Sequence, residues 1–539
     1  MPEIARFYWC RVLVALVGFA TPLSAQPDEP PRLVLMVCVD QLRPDLLSRY
    51  ESVFVGGLAR LMNEGLRFDN AFHDHAVTNT APGHATLATG VVPARHGIVD
   101  NSWYEWRDGE PERIYSVRDI DSAIVGFPDV AGVSPHRLLL DGLADWVHRS
   151  DPRSQVVSLG GKDRSAVVLG GRGQAHVYWF STDAGRFVTS TWYRTADPEW
   201  LQRFHREELP RYAAQSTWEC SVPPEARALA RADTTDYEAS SDDSYYPHAF
   251  DDDDGEHSKD FWRWWSRTPY PDQTIVALAT EAVRALDLGA DSAPDLLALA
   301  LSQTDIIGHR YGPLSLEQLD NLLHLDRALG SLFDFLDVQL GSDAYVVGFS
   351  SDHGVLTIPE QLMAQGKPAR RVPRDEVEEI FDSAKRIGSS SDAEWERCRR
   401  IAEHARALDF IADAMPHSVL ASSAPADSFV DLYRNSYHPE RIFSAPMRSR
   451  KQRVPLGIYG VAARLEPATV IGGSRAVHGS PYAYDRHVPM IFMGHHVRSG
   501  VTLQRVRTVD FAPTLAQLAG IQIPENLDGT PLDVSRNPR

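Results

Sequence analysis

The most regular feature along the chain is a short, unbroken apolar run that stops at a polar stretch rich in acids. Leu33 to Val39 stops at Asp40, and Gln155 to Leu159 gives way to Gly160-Gly161-Lys162-Asp163-Arg164. Leu296 to Leu301 runs into Ser302-Gln303-Thr304-Asp305, and Ala344 to Phe349 into Ser350-Ser351-Asp352-His353-Gly354. Runs without polar alternation suit strands buried on both faces of a mainly parallel sheet. Between them the period becomes helical: Leu278, Ala279, Ala282 and Leu286 follow Ile275. Ser315 and Gln318 form a capping box ahead of Leu319, Leu322, Leu329, Leu332, Phe333 and Leu336. Strands alternating with helices predict an α/β fold, with a central mainly parallel sheet flanked by helices.

Two stretches break the rhythm. Residues 185 to 270 are rich in Trp and Tyr and include Asp251-Asp252-Asp253-Asp254. Four consecutive side chains cannot all turn to one cation, so this run reads as a solvated loop. Residues 356–475 carry charged helical stretches and then Gly/Ala/Ser-rich sequence, which predicts a cap inserted over the sheet. The expected organisation is a signal peptide over 1–25, the first part of the core over 26–355, the inserted cap over 356–475, and the last part of the core over 476–539. The signal rests on Arg6 and Arg11 ahead of the apolar run Val12 to Ala20, with Ser24-Ala25 as a cleavage point. That run is too short to span a bilayer, and no other approaches the ~18 apolar residues a span needs. The mature chain is therefore expected to be exported, periplasmic or secreted, without stable membrane insertion.

With 539 residues, the chain is long enough for one elaborated domain or two. Its formal charge of -19, with no dense basic stretch, argues against nucleic-acid binding. The cysteines, Cys10, Cys38, Cys220 and Cys398, have no metal-binding spacing. Cys38 reads as a buried free thiol, and a Cys220–Cys398 bridge stays open in an oxidising compartment.

Chemistry concentrates where the strands end. In open α/β sheets, ligands bind beyond the carboxyl ends of the strands. Asp40, Asp305 and Asp352 fall there, and three carboxylates at one edge repel unless a cation sits among them. His309 lies one helical turn after Asp305, and His353 follows Asp352 on a tight turn. His487 precedes the apolar run Met490 to Met493, while His478 either supports a ligand or is one itself. Three acids and three histidines fit two zinc ions better than magnesium or calcium. Such a pair suits displacement at phosphorus. The segment Thr78-Asn79-Thr80-Ala81-Pro82-Gly83-His84-Ala85-Thr86 supplies hydroxyls near a helix start, where phosphate is favoured. On these grounds Thr78, Thr80 and Thr86 are all candidate nucleophiles, and an N-cap role is the alternative.

The ordered set of motifs resembles the alkaline phosphatase superfamily, and within it the PafA-type enzymes with a threonine nucleophile. The motifs run from Val39-Asp40-Gln41, Thr80-Ala81-Pro82-Gly83-His84 and Asp100-Asn101-Ser102 through Gly161-Lys162-Asp163-Arg164. They continue with Asp305-Ile306-Ile307-Gly308-His309, Ser351-Asp352-His353-Gly354, Tyr484-Asp485-Arg486-His487-Val488-Pro489 and Val509-Asp510-Phe511-Ala512-Pro513-Thr514. The resemblance implies Thr80 as nucleophile and metal contact, one zinc on Asp305, His309 and His487, and the other on Asp40, Asp352 and His353. It makes Asn101, Lys162 and Arg164 the groups that bind the phosphoryl oxygens. Lys with a bidentate Arg complements the two charges of a phosphate monoester. The implied activity is hydrolysis of small phosphate monoesters through a phosphothreonine intermediate. A nucleotide pyrophosphatase/phosphodiesterase shares ligands and nucleophile but has little use for the Lys162/Arg164 pair. A metal-dependent binding protein without activity should have lost a ligand or the nucleophile. Ser444-Ala445-Pro446-Met447-Arg448 matches a sulfatase-like string but lies far from Asp40, within the insertion.

Overall fold

The computed structural model describes residues 30–536 apart from 234, 236, 238–243, 251–256, 445, 450 and 474. The proposed signal segment and the run Asp251 to Asp254 lie outside the described residues. The main sheet has nine strands: β1 (Leu33–Val39), β2 (Leu66–Phe72), β3 (Val156–Gly160), β4 (His176–Ser181), β5 (Arg186–Val188), β6 (Asp295–Leu301), β7 (Tyr345–Ser350), β8 (His487–Gly494) and β9 (Gly500–Arg507). Their spatial order is β9-β2-β8-β7-β1-β6-β3-β4-β5. The central run β7-β1-β6-β3-β4 is parallel, and β8 is antiparallel to both β7 and β2.

Both faces of the central strands are buried, as their unbroken apolar runs require. Val34, Met36 and Cys38 of β1 join one core, while Leu33, Leu35, Val37 and Val39 join the other. The flanking helices supply the cover. Helices α1 (Thr80–Thr89), α2 (Asp163–Leu169), α3 (Tyr270–Ala285), α4 (Gln303–Tyr311) and α5 (Leu316–Gln339) follow the strand ends and crossovers. On α5, Leu319, Leu322, Leu329, Leu332 and Phe333 enter the second core. The Ser315 side chain accepts the Gln318 amide, but Gln318 does not complete the capping box and donates instead to the Thr304 carbonyl at 2.8 Å.

A third apolar cluster, with Ile380, Phe381, Ala402 and Ala463 among its members, is drawn from residues 372 to 471. Other residues of the same stretch, including Tyr433 and Phe443, pack into the first core. Ile442–Phe443 pairs antiparallel with Trp103 and Tyr104 of the strand Ser102–Arg107. Most aromatics between residues 185 and 270 are structural, with Trp200, Phe204, Phe261 and Trp265 buried in the second core. Cys38, Cys220 and Cys398 are all free thiols, so the Cys220–Cys398 bridge is not formed. No helix of the described residues is long and apolar enough to cross a membrane.

Candidate active site

Register brings the acids together. Val39 is level with Leu301 and Cys38 with Ser350, so the chain leaves β1, β6 and β7 at one edge. Gly160 is level with Ala300, which sends the Lys162 loop to the same edge. Asp40, Asp305 and Asp352 are consequently buried neighbours. Gln41, held at φ 65, spans two of them: its amide donates to Asp352 Oδ1 at 3.0 Å and its Nε2 to Asp305 Oδ1 at 2.7 Å. Two glycines permit the close approach. A Cβ at Gly83 would lie 2.0 Å from the Asp352 carbonyl oxygen, and one at Gly308 2.1 Å from Gln41 Oε1.

Two clusters of metal-competent donors result. The first is Asp305, His309 and His478. His309 Nε2 and His478 Nε2 lie 3.2 and 3.6 Å from Asp305 Oδ1. His309 Nδ1 meets the Ala476 carbonyl and His478 Nδ1 the Thr78 carbonyl, each at 2.8 Å. A ring whose Nδ1–H donates to a carbonyl keeps its Nε2 lone pair for an ion. The second cluster joins Asp40, Asp352, His84 and Cys38. His353 abuts it, with Nδ1 at 2.9 Å from the Gly354 carbonyl and Nε2 at 3.4 Å from Asp352 Oδ2. The His353 ring stacks on His478 at 3.6 Å between centroids, which joins the two clusters.

His487 does not belong to this constellation, which corrects the sequence expectation. It opens β8 opposite Phe72, stacks on that ring at 4.6 Å, and turns Nε2 to the Asp69 carbonyl at 2.9 Å. His478 takes the third place beside Asp305 and His309. Asp40, Asp305, His309, Asp352 and His353 all lie at this edge. His84 was missed as a site residue. It bridges Asp40 Oδ1 at 3.3 Å and Asp352 Oδ2 at 3.2 Å, and it lies one turn after Thr80 on α1. The one-turn spacing that singled out Asp305 and His309 applies to Thr80 and His84 too. Ser302 was also missed; its Oγ donates to Asp40 Oδ2 at 3.1 Å.

The cationic groups complete the site. Lys162 Nζ sits 2.8 Å from Asp40 Oδ2 and 2.6 Å from Asp305 Oδ2. Burial disfavours its charge, but Asp305 and Asp40 outweigh burial and raise its pKa. Arg164 Nη2 lies 3.5 Å from Thr80 Oγ1, and its Nη1 lies 3.4 Å from the Tyr115 hydroxyl. Thr80 is buried at the first turn of α1 and Asn79 is the N-cap. Asn101 Oδ1 accepts the Ala81 amide at 2.7 Å, which fixes its side chain against the same turn.

The electrostatics are those of a charged cluster withdrawn from water. Burial and Asp40 push Asp352 up to about 6. Burial would raise Asp305 as well, yet Lys162 and His309 hold it well below the usual carboxylate range. Burial and His478 hold His353 neutral, and burial with His309 lowers His478 to about 4. For His84 burial is outweighed by Cys38, Asp40 and Asp352, which raise its pKa. Beyond the imidazole–carboxylate contacts at 3.2 to 3.4 Å given above, Asp40 Oδ1, Asp352 Oδ2 and His353 Nε2 are buried without hydrogen-bond partners among the described residues. Orphaned oxygen and imidazole atoms of this kind fit metal ions, and the mixed donor set fits zinc.

Comparison with known proteins finds relatives over nearly the whole chain. A family model described as type I phosphodiesterase / nucleotide pyrophosphatase matches residues 34–456. The alkaline phosphatase PhoV of Synechococcus elongatus is 29% identical over 521 residues, covering 93% of this chain and 92% of its own. The alkaline phosphatase PafA of Elizabethkingia meningoseptica is 28% identical over 546 residues, covering 97% of this chain and 98% of its own. The crystal structure of wild-type PafA superposes with TM-score 0.83 at 24% identity, over 95% of this chain and 100% of PafA. Murine ectonucleotide pyrophosphatase/phosphodiesterase 5 shares the fold more loosely, with TM-score 0.51 at 14% identity, over 92% of this chain and 97% of its own.

Proposed function

The chain belongs to the type I phosphodiesterase / nucleotide pyrophosphatase family, within the alkaline phosphatase superfamily, and from that membership we propose that it is an exported, zinc-dependent phosphomonoesterase acting through a phosphothreonine at Thr80. The observation that carries this reading is the pair of cations in the site, one of them at the nucleophile. Arg164 lies beside Thr80 Oγ1, and Lys162 lies between the two carboxylates that head the clusters. A monoester offers two charged oxygens to such a pair, whereas a diester presents an esterified oxygen there.

One zinc would be held by Asp305, His309 and His478, and the other by Asp40, Asp352 and His353. When bound, two zinc ions supply Lewis-acid charge for the nucleophile, the leaving oxygen and the hydrolytic water. The residues do the rest. Asn101, Lys162 and Arg164 bind and orient the non-bridging phosphoryl oxygens. Thr80 Oγ1 forms a bond to phosphorus as the bond to the leaving oxygen breaks, and the threonine proton passes through solvent to that oxygen, which departs as the alcohol. Water then cleaves the phosphothreonine, which releases phosphate and restores the hydroxyl. The N-terminus of α1 adds favourable dipole charge under the phosphoryl group. Gln41, Ser302 and the backbone carbonyls behind His309 and His478 hold the donor atoms in place. Residues 356–475 act in this reading as a cap, and residues 1–25 as the export signal.

The test compares kcat/KM for an aryl phosphate monoester and a matched diester on zinc-loaded protein. The expected result is a strong monoester preference that chelation abolishes and that Arg164→Ala erodes by costing the monoester more. Thr80→Ala should keep its zinc and lose the phosphoenzyme. A diester preference would leave the metal site and Thr80 in place and assign the chain to the phosphodiesterase side of its family.

A further inference from the structure

Beside the phosphoryl position lies a cavity of about 320 Å3. Asn101 and His478 line it together with Asn79, the N-cap residue of α1, so it borders both the phosphoryl-binding residues and the first donor cluster. One wall is apolar and comes from the segment 356–475 through Leu465, Val470 and Ile471. Two arginines, Arg113 and Arg448, also line it. The size suits a leaving group of one ring, since ligand pockets start at roughly 300 Å3.

The walls are tied to the catalytic residues. Asp100 accepts Asn79 Nδ2 and the Asn101 amide through Oδ1, each at 2.7 Å, and the Ser444 amide through Oδ2 at 2.8 Å. Ser444 Oγ donates to the Ser102 carbonyl at 3.2 Å. Ser444, Pro446 and Arg448, members of the stray sulfatase-like pattern in the sequence, thus line the cavity, with Ser444 fastened next to Asn101.

The two arginines stand out against an acidic chain of net charge -19. Arg113 donates to Ser102 Oγ at 3.1 Å, and neither it nor Arg448 has a carboxylate partner among the described residues. By contrast, the neighbouring Arg107 is met by both Glu105 and Glu112. Both arginines are exposed to solvent. The acids that line the cavity do not neutralise them. Asp100 is committed to the three donors above, and Asp485 accepts the Ser480 amide and hydroxyl at 2.9 and 2.6 Å.

We infer that this cavity receives the leaving group of the substrate, and that Arg113 and Arg448 select leaving groups with an apolar or aromatic body ending in a carboxylate or similar anion. The inference rests on the phosphomonoesterase reading and adds the substrate class to it. An arginine pair in the wall of the leaving-group cavity acts on orientation and on capture from solution, both favourable for an anion.

The experiment assays zinc-loaded protein with 4-carboxyphenyl phosphate and 4-carbamoylphenyl phosphate, which differ in charge at the far end and little in size. At low salt kcat/KM should favour the carboxylate by roughly tenfold, and the preference should shrink as salt screens the rim. In Arg448→Gln and in the double variant Arg113→Gln/Arg448→Gln the ratio should fall stepwise toward equality. A wild-type ratio at or below one, with both esters turned over, overturns the inference and leaves the phosphomonoesterase reading standing. A preference that survives the double variant overturns the assignment to these arginines. Turnover of neither ester overturns the underlying reading itself.

Discussion

His478 and His487 stand close together in sequence, precede the same apolar strand and differ in which nitrogen is free. His478 commits Nδ1 to the Thr78 carbonyl and leaves Nε2 toward Asp305. His487 spends Nε2 on the Asp69 carbonyl and lays its ring on Phe72. Motif order alone cannot separate them, because the choice is made by the turn between them and by the phase at which β8 begins. His478→Ala should therefore reduce bound zinc from two ions to one, since a cluster left with two protein ligands holds its ion weakly. His487→Ala should retain both ions. Metal analysis of the two purified variants decides between them, and loss of zinc from His487→Ala alone would restore the sequence expectation.

At the scale of the element, much was legible. The run Leu33 to Val39 is β1 residue for residue, and the Ser315 cap starts α5 where the sequence places it. Uninterrupted burial and a side-chain cap are local signals, so local reading finds them. The fit between elements is not local. The T-A-P-G-H segment reads as a helix start, yet nothing in it says that α1 must touch the loop after β7. Gly83 carries that requirement, because a Cβ there would lie 2.0 Å from the Asp352 carbonyl oxygen, a backbone atom that cannot swing aside. His84 was overlooked for the same reason, since its role exists only once α1 lies between Asp40 and Asp352. Gly83→Val should force α1 away from Asp352 and lower kcat/KM at least a hundredfold, as misplacement by about 1 Å can do. Measured alongside, folding should cost about 1–3 kcal/mol, typical of overpacking. Near-normal activity would mean that the contact between α1 and Asp352 is not needed for catalysis.

Across the whole molecule, titration links the buried histidines to acid stability. Burial pushes His73 and His96 down to about 3, and His417 to about 4. Each is neutral in the folded chain, whereas an unfolded histidine titrates near 6.5. The depressed value means that the stability each contributes is present above pH ~6.5 and is lost as pH falls toward the folded value. Asp272 and Asp485, raised by burial to about 7 and about 8, have the opposite slope and gain stability as pH falls toward ~4. The raw pH profile therefore mixes both signs, and a single-site difference isolates one of them. His96 suits this purpose: its Nδ1 accepts the Ile98 amide at 3.1 Å and its Nε2 lies 3.2 Å from Thr86 Oγ1, so protonation must break a buried hydrogen bond. Whatever His96→Gln costs at pH 7, that cost should shrink by about 2 kcal/mol at pH 5, because the variant no longer has a site that only the unfolded chain can protonate. Denaturant unfolding of both proteins at the two pH values measures the change. An equal deficit at pH 7 and pH 5 would show that His96 does not titrate between them in the unfolded chain alone, and the acid limb would then have to come from His73 and the others.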